Sequence, residues 1–151
     1  MKLDQLAKHA PLALALLRIV TALLFLEHGT QKLFGFPAMQ MPAGGQGGAP
    51  GGPPPGGGPS ELMMTLMHIA GPIEGIGGLA MLLGLFTRPV AFIIAGETAV
   101  IYWLAHFPRG GFYPMFNGGE AAIMFCFVFL YIFFAGPGIW SLDGLFGKRA
   151  R

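Results

Sequence analysis

Long apolar segments constrain this chain more than any other feature of its sequence. Four of them can be drawn, over residues 11–34, 61–85, 89–107 and 117–135. Segments of about 18 or more mainly apolar residues are long enough to span a bilayer as helices. Because lipid offers no water to an unpaired backbone, all four are expected to be helical. The sequence therefore predicts an all-α fold, a four-helix transmembrane bundle that forms a single membrane domain.

Composition and charge agree with a membrane protein. Of the 151 residues 54% are hydrophobic and 11% are charged, with a net charge of +2, which does not suit a soluble domain. One predicted side of the bundle carries Lys2, Lys8, Arg88, Lys148, Arg149 and Arg151, and the other carries Lys32 and Arg109. The positive-inside rule then predicts that both termini are cytoplasmic in a bacterial-type inner membrane. The lipid bilayer is the expected environment, and no nucleic-acid partner is predicted.

Residues 42–59 are almost entirely glycine and proline, with only alanine and Gln46 added. Such a segment cannot pack a core and is typical of a flexible or partly extended linker, here on the outer side of the membrane. A tolerated surface insertion is favoured over a docking tether, because long surface loops cost little entropy. Cys126 is the only cysteine, so any dithiol chemistry must come from a partner.

Ionisable residues within the apolar segments are the natural place to look for function. A charged side chain at the centre of a membrane helix costs roughly 2.5 to 3.5 kcal/mol of insertion free energy, even on the scale that gives the lowest values. Such a side chain is therefore retained where it is paired, hydrated or functional. Counting about 1.5 Å of helical rise per residue predicts an inner layer of Arg18, Glu74 and Glu97. The residues expected nearer the outer surface are Glu27, His28, Lys32, His106 and Glu120.

The predicted inner layer holds two glutamates and one arginine. Arg18 is expected to neutralise one carboxylate and to hydrogen-bond to both, which leaves a surplus carboxyl group that can hold a proton. A charge cluster that fixes the register of the helices explains this pattern as well as a proton-exchanging site does. Gly71, Pro72 and Gly75 beside Glu74 indicate either a kink that opens a cavity or close helix packing, and packing is favoured slightly.

The outer residues have both functional and structural interpretations. Histidines and carboxylates are metal ligands, but Glu97 and His106 fall on opposite faces of an ideal helix and no Glu-x-x-His pair is present, so no metal site is predicted. Asn117 and Glu120 have the spacing of a capping box at a helix start. Lys32 near an interface is typical of a lysine that extends to the lipid headgroups.

Three motifs resemble the DoxX family. They are residues 24–35 (LFLEHGTQKLFG) after Arg18, Glu74 with Gly77, Gly78 and the turn 84–88 (GLFTR), and residues 136–143 (GPGIWSLD). The resemblance implies a four-helix membrane protein related to the DoxX and DoxD type subunits linked to thiosulfate:quinone oxidoreductase. It also implies a polar pocket of Arg18, His28, Gln31, Lys32, Glu74, Asn117 and Glu120. Glu27 departs from the family pattern, which usually has an apolar residue there.

The leading functional hypothesis is a membrane subunit of a redox complex that handles a quinone or another lipophilic substrate. Glu74 or Glu97 would supply protons, and His28 or Lys32 would bind a carbonyl oxygen. The candidate catalytic residues are therefore Glu74, Glu97 and His28. The candidate substrate-binding residues are Arg18, Gln31, Lys32, His106, Asn117 and Glu120.

Two other functions remain open at this level. One is a non-catalytic anchor or assembly factor for a soluble oxidoreductase. The other is a small-molecule or proton-coupled carrier, which four helices without an evident inverted repeat could form only as a homo-oligomer. The sequence does not decide whether the chain is itself an enzyme, and quinone is the one cofactor it suggests.

Overall fold

The computed structural model of this protein describes residues 6–38 and 61–149. Those residues form helices and turns without any strand, which confirms the all-α fold class. The longer helices are α1 (Ala10–Phe34), α2 (Glu61–Leu83), α3 (Thr87–Ile101), α4 (Glu120–Ala135) and α5 (Leu142–Arg149). The chain continues α3 through a π-helical segment, Tyr102–His106, and a final turn, Phe107–Gly110. The predicted linker at 42–59 lies outside the described residues.

Three helices are long and apolar enough to cross a membrane: Ala10–Phe34, Glu61–Leu83 and the continuous Thr87–Gly110. The apolar helix α4 has 16 residues. At about 1.5 Å per residue it measures about 24 Å, less than the roughly 30 Å of a typical hydrocarbon core. The sequence predicted a longer segment beginning at residue 117, but a separate helical turn, Pro114–Asn117, ends there and α4 begins at Glu120.

Glycines set the close contact between α1 and α2. A Cβ added to Gly29 would lie 2.6 Å from the Cα of Gly75, and one added to Gly78 would lie 3.1 Å from the Cα of Leu26. Only residues without a side chain allow two helix backbones to approach so closely. The α2 helix runs through Pro72 without interruption. The glycines therefore act through small-residue packing, and this packing fixes which residues of α1 face which residues of α2.

An apolar core fills the middle of the bundle. Phe25, Met81, Ile94, Phe129 and Ile132 are each at most 1% exposed, so α1, α2, α3 and α4 all contribute to it. The rings of Phe25 and Phe129 meet edge to face with their centroids 5.2 Å apart. Polar side chains are buried at either end of this core.

At one end Arg18 is completely buried and bonds only to backbone oxygens among the described residues. Its guanidinium donates to Met81 O (2.5 Å), Leu82 O (2.9 Å), Pro137 O (2.9 Å) and Trp140 O (2.8 Å). Four of the five donors of an arginine are used in this way. The prediction that Arg18 neutralises Glu74 or Glu97 is therefore wrong, because the last turn of α2 and the chain after α4 supply its partners instead.

Asp143 and Arg88, two further residues of the motifs described above, bond to helix ends near Arg18. Asp143 accepts hydrogen bonds from the backbone N–H groups of Phe86 (2.8 Å) and Thr87 (2.7 Å), which caps the start of α3. Arg88 donates to Phe133 O at 2.9 Å and to Phe134 O at 3.0 Å, in the last turn of α4. The motifs at 84–88 and 136–143 thus hold the ends of three helices together.

Candidate functional site

A buried ion pair joins α1 to α2 at the other end of the core. Lys32 Nζ donates to Glu74 Oε1, and the two side chains are 18% and 4% exposed. The crossing of Gly29 with Gly75 places Lys32, one turn further along α1, beside Glu74. The predictions that Lys32 lies at a different level from Glu74 and extends to the headgroups are therefore wrong.

The predicted depth of Lys32 was wrong because the depth of each residue was counted from the end of its own helix. A Cβ on Gly71 would lie 3.4 Å from Lys32 Cβ, so α1 ends opposite the middle of α2. The first ten or so residues of α2 then extend about 15 Å beyond the end of α1. A residue two positions from the end of α1 is consequently deep within the bundle.

Glu97 on α3 completes the cluster. It interacts electrostatically with both Glu74 and Lys32. This agrees with the prediction that Glu74 and Glu97 lie at the same depth in the bundle. Both oxygens of Glu97 and Oε2 of Glu74 are buried, and none has a hydrogen-bond partner among the described residues. Two ionised carboxylates have no donor between them, so Glu74 and Glu97 can bond to each other only when one is protonated. The cluster contains one cation and two carboxyl groups, as predicted, but the cation is Lys32.

A groove of about 190 Å³ lies between α2 and α3 beside this cluster. Its walls are Leu66, Ile69, Ala70, Ile73, Gly96, Glu97, Val100 and Ile101. Glu97 is the one ionisable residue of this lining. A Cβ on Gly96 would meet nothing within 4 Å, so small residues keep the groove open. Ile69 and Val100 at its edge are 57% and 50% exposed, and the groove therefore opens on the apolar outer surface of the helix pair.

Other predicted site residues lie away from the groove. His28 is exposed, its Nδ1 lies 2.9 Å from Leu24 O, and its ring meets Phe125 of α4 with centroids 5.6 Å apart. Gln31 is half-buried next to Lys32, and Glu120 is exposed at the start of α4. Within residues 6–38 and 61–149, no three His, Cys, Asp or Glu side chains are grouped as a metal site would require.

Asn117 and His106 belong to a separate clasp. The fully buried Asn117 donates from Nδ2 to Gly111 O at 2.8 Å, and its Oδ1 accepts from Gly119 N at 2.8 Å. His106 Nδ1 lies 3.1 Å from Asn117 O. The predicted capping box is wrong, because Gly119 is the N-cap of α4 and makes no side-chain cap bond.

Tyr102 is a buried member of this clasp that the sequence reasoning missed. Its hydroxyl donates to Phe112 O at 2.9 Å and lies 3.4 Å from Asn117 Nδ2. It begins the π-helical segment, and a regular helical period does not indicate where such a segment interrupts an α-helix. Tyr102 and Asn117 hold the loop between α3 and α4.

Apolar helices long enough to span a bilayer, with a carboxylate cluster buried between them, define a helical integral membrane protein. The DoxX family model matches residues 13–107, which include Lys32, Glu74 and Glu97. The chain belongs to the DoxX family.

Three bacterial proteins are similar to this chain. It is 39% identical to an uncharacterized protein of Haemophilus influenzae, over 97% of this chain and 100% of that protein. It is 31% identical to the inner membrane protein YqjF of Escherichia coli, over 87% of this chain and 90% of that protein. It is 27% identical to an uncharacterized membrane protein of Mycobacterium tuberculosis, over 93% and 85% of the two chains. No solved structure matches the chain.

Proposed function

We propose that this protein is the membrane subunit of a redox complex and that it binds a quinone or a similar lipophilic ring compound in the groove between α2 and α3. Glu97 and Glu74 exchange protons with the bound ring. The observation that carries this proposal is a set of three buried carboxyl oxygens beside an apolar groove that accept no hydrogen bond from a donor of the described residues; one proton between the two carboxyl groups partners two of them and leaves one oxygen of Glu97. A buried polar group left without a partner costs about 1–3 kcal/mol, which a purely structural cluster would avoid.

Charge balance supports a role in proton exchange. Lys32 compensates one carboxylate, and a second uncompensated charge in this apolar setting is unfavourable. One proton shared by Glu74 and Glu97 makes the cluster neutral. General acid–base chemistry needs such a proton within hydrogen-bond reach of the substrate, and Glu97 is the one ionisable residue in the lining of the groove; its carboxyl oxygens are buried and must turn toward a bound ring to reach it.

The proposed arrangement in the membrane is a four-helix bundle with α4 as the fourth span and both termini in the cytoplasm. Lys8 and Arg88 then lie on the cytoplasmic side, in agreement with the positive-inside rule. The pairing of Lys32 with Glu74 strengthens this assignment, because it removes a basic residue from the outer side and leaves Arg109 there. The location is the bacterial inner membrane, as the name of the Escherichia coli relative says of that protein.

An oxidoreductase partner is part of the proposal. One cysteine cannot form an intrachain dithiol, so electrons reach the bound ring from a soluble or membrane-bound partner. Lys32 positions Glu74 in this scheme, while His28, which faces α4, and Arg18, whose donors bond to backbone oxygens, are assigned to the scaffold.

The test is gentle purification from the native membrane, followed by extraction and quantification of bound quinone. Wild-type protein is expected to retain quinone, and Glu97→Gln and Glu74→Gln are expected to lose at least 90% of it. Glu27→Gln and Glu120→Gln, which change exposed carboxylates, are the matched controls and should retain it.

Two outcomes contradict the proposal. In the first, Glu97→Gln and Glu74→Gln keep wild-type quinone occupancy. In the second, the wild-type protein carries no quinone and does not bind added decylubiquinone. An oxidoreductase that co-purifies with a quinone-free wild type would instead establish the anchor function.

A further inference from the structure

We propose that residues 111–119, the loop between α3 and α4, lie in the interfacial layer of the bilayer and bind lipid headgroups and the adjoining parts of the acyl chains. We call this segment the aromatic loop. Its occupant is a lipid surface rather than a protein, and it does not depend on the proposed quinone site. The inference follows from the depth of the loop, its exposed side chains and the partners of its backbone.

The depth of the loop follows from the contacts between α3 and α4. Arg88 donates to Phe133 O, so α3 begins level with the end of α4. A Cβ added to Gly119 would lie 2.7 Å from the ring of Tyr102, so α4 begins level with Tyr102. The rest of α3, which continues to Gly110, therefore extends about 12 Å beyond the start of α4.

The aromatic loop runs back along this extension of α3. A Cβ added to Gly110 would lie 2.8 Å from Phe116 O and 3.1 Å from Asn117 Cα. The continuous helix Thr87–Gly110 is long and apolar enough to cross a membrane. It measures about 36 Å, more than the roughly 30 Å of the hydrocarbon core and less than the 40–45 Å of a whole bilayer. The last part of α3, and the loop beside it, therefore reach the interfacial layer.

Large exposed side chains cover the aromatic loop. Four of them are between 67% and 73% exposed: Phe112, Tyr113, Met115 and Phe116. None of residues 111–119 is charged. Trp103 on the adjacent part of α3 is 53% exposed, so the patch is continuous with the lipid-facing surface of that helix. Tyrosine and tryptophan are enriched at membrane interfaces, and an exposed apolar patch of this kind marks an interaction surface.

Charged residues border the aromatic loop on both sides. Arg109 precedes it, and the exposed Glu120 follows it at the start of α4. A charged side chain is costly within hydrocarbon and is accommodated where headgroups and water reach it. The loop therefore fits the interfacial layer rather than the hydrocarbon centre, with Glu120 at the inner edge of that layer.

The clasp supplies the backbone partners that lipid cannot. Asn117 donates to Gly111 O and accepts from Gly119 N, and the hydroxyl of Tyr102 donates to Phe112 O. Non-helical backbone at membrane depth is tolerated only where the protein satisfies its polar groups. A loop in water would bond to the solvent instead. The buried clasp is thus what an interfacial loop requires.

The test is quenching of a single tryptophan in vesicles of phosphatidylcholine and phosphatidylglycerol. Trp103→Phe/Trp140→Phe removes the native indoles, and Phe116→Trp adds a reporter to the loop. Phe127→Trp, which changes an exposed residue near the middle of α4, is the matched control. Lipids brominated near the headgroup should quench the Phe116→Trp reporter at least about twice as strongly as lipids brominated near the chain end. The opposite order is expected for Phe127→Trp.

A second measurement tests the clasp, with acrylamide present on both sides of the membrane. Asn117→Ala leaves Gly111 O and Gly119 N without their partner, so the loop should move toward water. Quenching of the Phe116→Trp reporter by acrylamide should then rise at least about twofold. Unchanged quenching in a variant that is folded by size-exclusion chromatography would overturn the role assigned to the clasp.

Two results overturn the lipid assignment itself. In the first, acrylamide quenches the Phe116→Trp reporter as strongly as it quenches N-acetyltryptophanamide, and brominated lipids do not quench it, which places the loop in water. In the second, neither quencher reaches the reporter, which means that a second copy of the chain or another protein covers the loop.

Discussion

The two buried polar clusters at the ends of the core differ in how their hydrogen bonds are satisfied. Arg18 directs four donors to four backbone oxygens, whereas three oxygens of Glu74 and Glu97 accept no hydrogen bond within residues 6–38 and 61–149. Near the Arg18 end, Thr87 Oγ1 is the one buried polar side-chain atom of the described part of the chain that lacks a hydrogen-bond partner. Fourteen residues of α1, about 21 Å, separate Arg18 from Lys32. Burial of a charge therefore does not by itself mark a functional site, and the proposed site rests instead on the unused hydrogen-bonding capacity of two carboxyl groups beside a groove.

The two clusters differ because their charged residues lie beside different parts of the helix backbone. The last carbonyl groups of a helix have no partner within the helix and carry a partial negative charge, so the end of α2 attracts a cation such as Arg18. Glu74 and Glu97 lie within helices whose N–H groups are already used. Mid-helix carboxylates must therefore obtain donors from side chains or from a ligand.

The largest expected effect is on the Arg18 cluster. Arg18→Ala leaves four backbone oxygens without their donor, and we expect a loss of at least about 3 kcal/mol of stability. Arg18→Lys should recover less than half of this loss, because an ammonium group cannot reach acceptors on both α2 and the chain after α4. The measurement is thermal unfolding in detergent, followed by a thiol-reactive dye at the partly buried Cys126. Wild-type stability in Arg18→Lys would show that charge alone matters there.

A smaller effect is expected where α1 crosses α2. Gly29→Val places a side chain against the backbone of Gly75, and overpacking of this kind costs about 1–3 kcal/mol. The helices must separate, which moves Lys32 away from Glu74, so ligand binding should fall together with stability. Gly96→Val is the matched control for stability alone, since its Cβ has open space but the residue lines the groove. Equal stability of Gly29→Val and wild type would contradict the proposed register.

A smaller loss of stability is expected when the Lys32–Glu74 ion pair is removed. Lys32→Met leaves Glu74 without its cation and should destabilise the protein, whereas the double variant Lys32→Met/Glu74→Gln should recover most of the loss. The coupling energy of such a cycle is expected to be about 1–3 kcal/mol. Lys8→Met, which changes an exposed lysine, is the control. Additive effects of the two changes would mean that the pair does not form.

The sequence was sufficient for the helical fold, the membrane class and the family, because apolar length and the motifs at 24–35 and 84–88 are local signals. It also predicted that Glu74 and Glu97 lie close together, since both are about 15 Å from the short turn that joins their helices. It could not predict the partner of Glu74, because the register of α1 against α2 depends on the Gly29–Gly75 contact. The partners of Arg18 were equally hidden, since they are backbone oxygens in the last turn of α2 and after the end of α4.

The clasp of Asn117, His106 and Tyr102 shows a second limit of the sequence-based prediction. Asn117 has the spacing of a helix cap, yet its side chain bonds to Gly111 and Gly119 within the loop. The π-helical segment that begins at Tyr102 alters the faces expected from a regular period, so the position of His106 could not be derived from counting.

The central claim is that the Lys32–Glu74–Glu97 cluster serves a ligand rather than the stability of the fold. The most direct test is the unfolding temperature of Glu97→Gln in the absence of ligand, compared with wild type and with the exposed control Glu120→Gln. Removing a buried carboxylate that accepts no hydrogen bond from the described residues should leave the unfolding temperature unchanged or raise it. A fall as large as that of Arg18→Ala would contradict the claim and place Glu97 among the residues that hold the fold together.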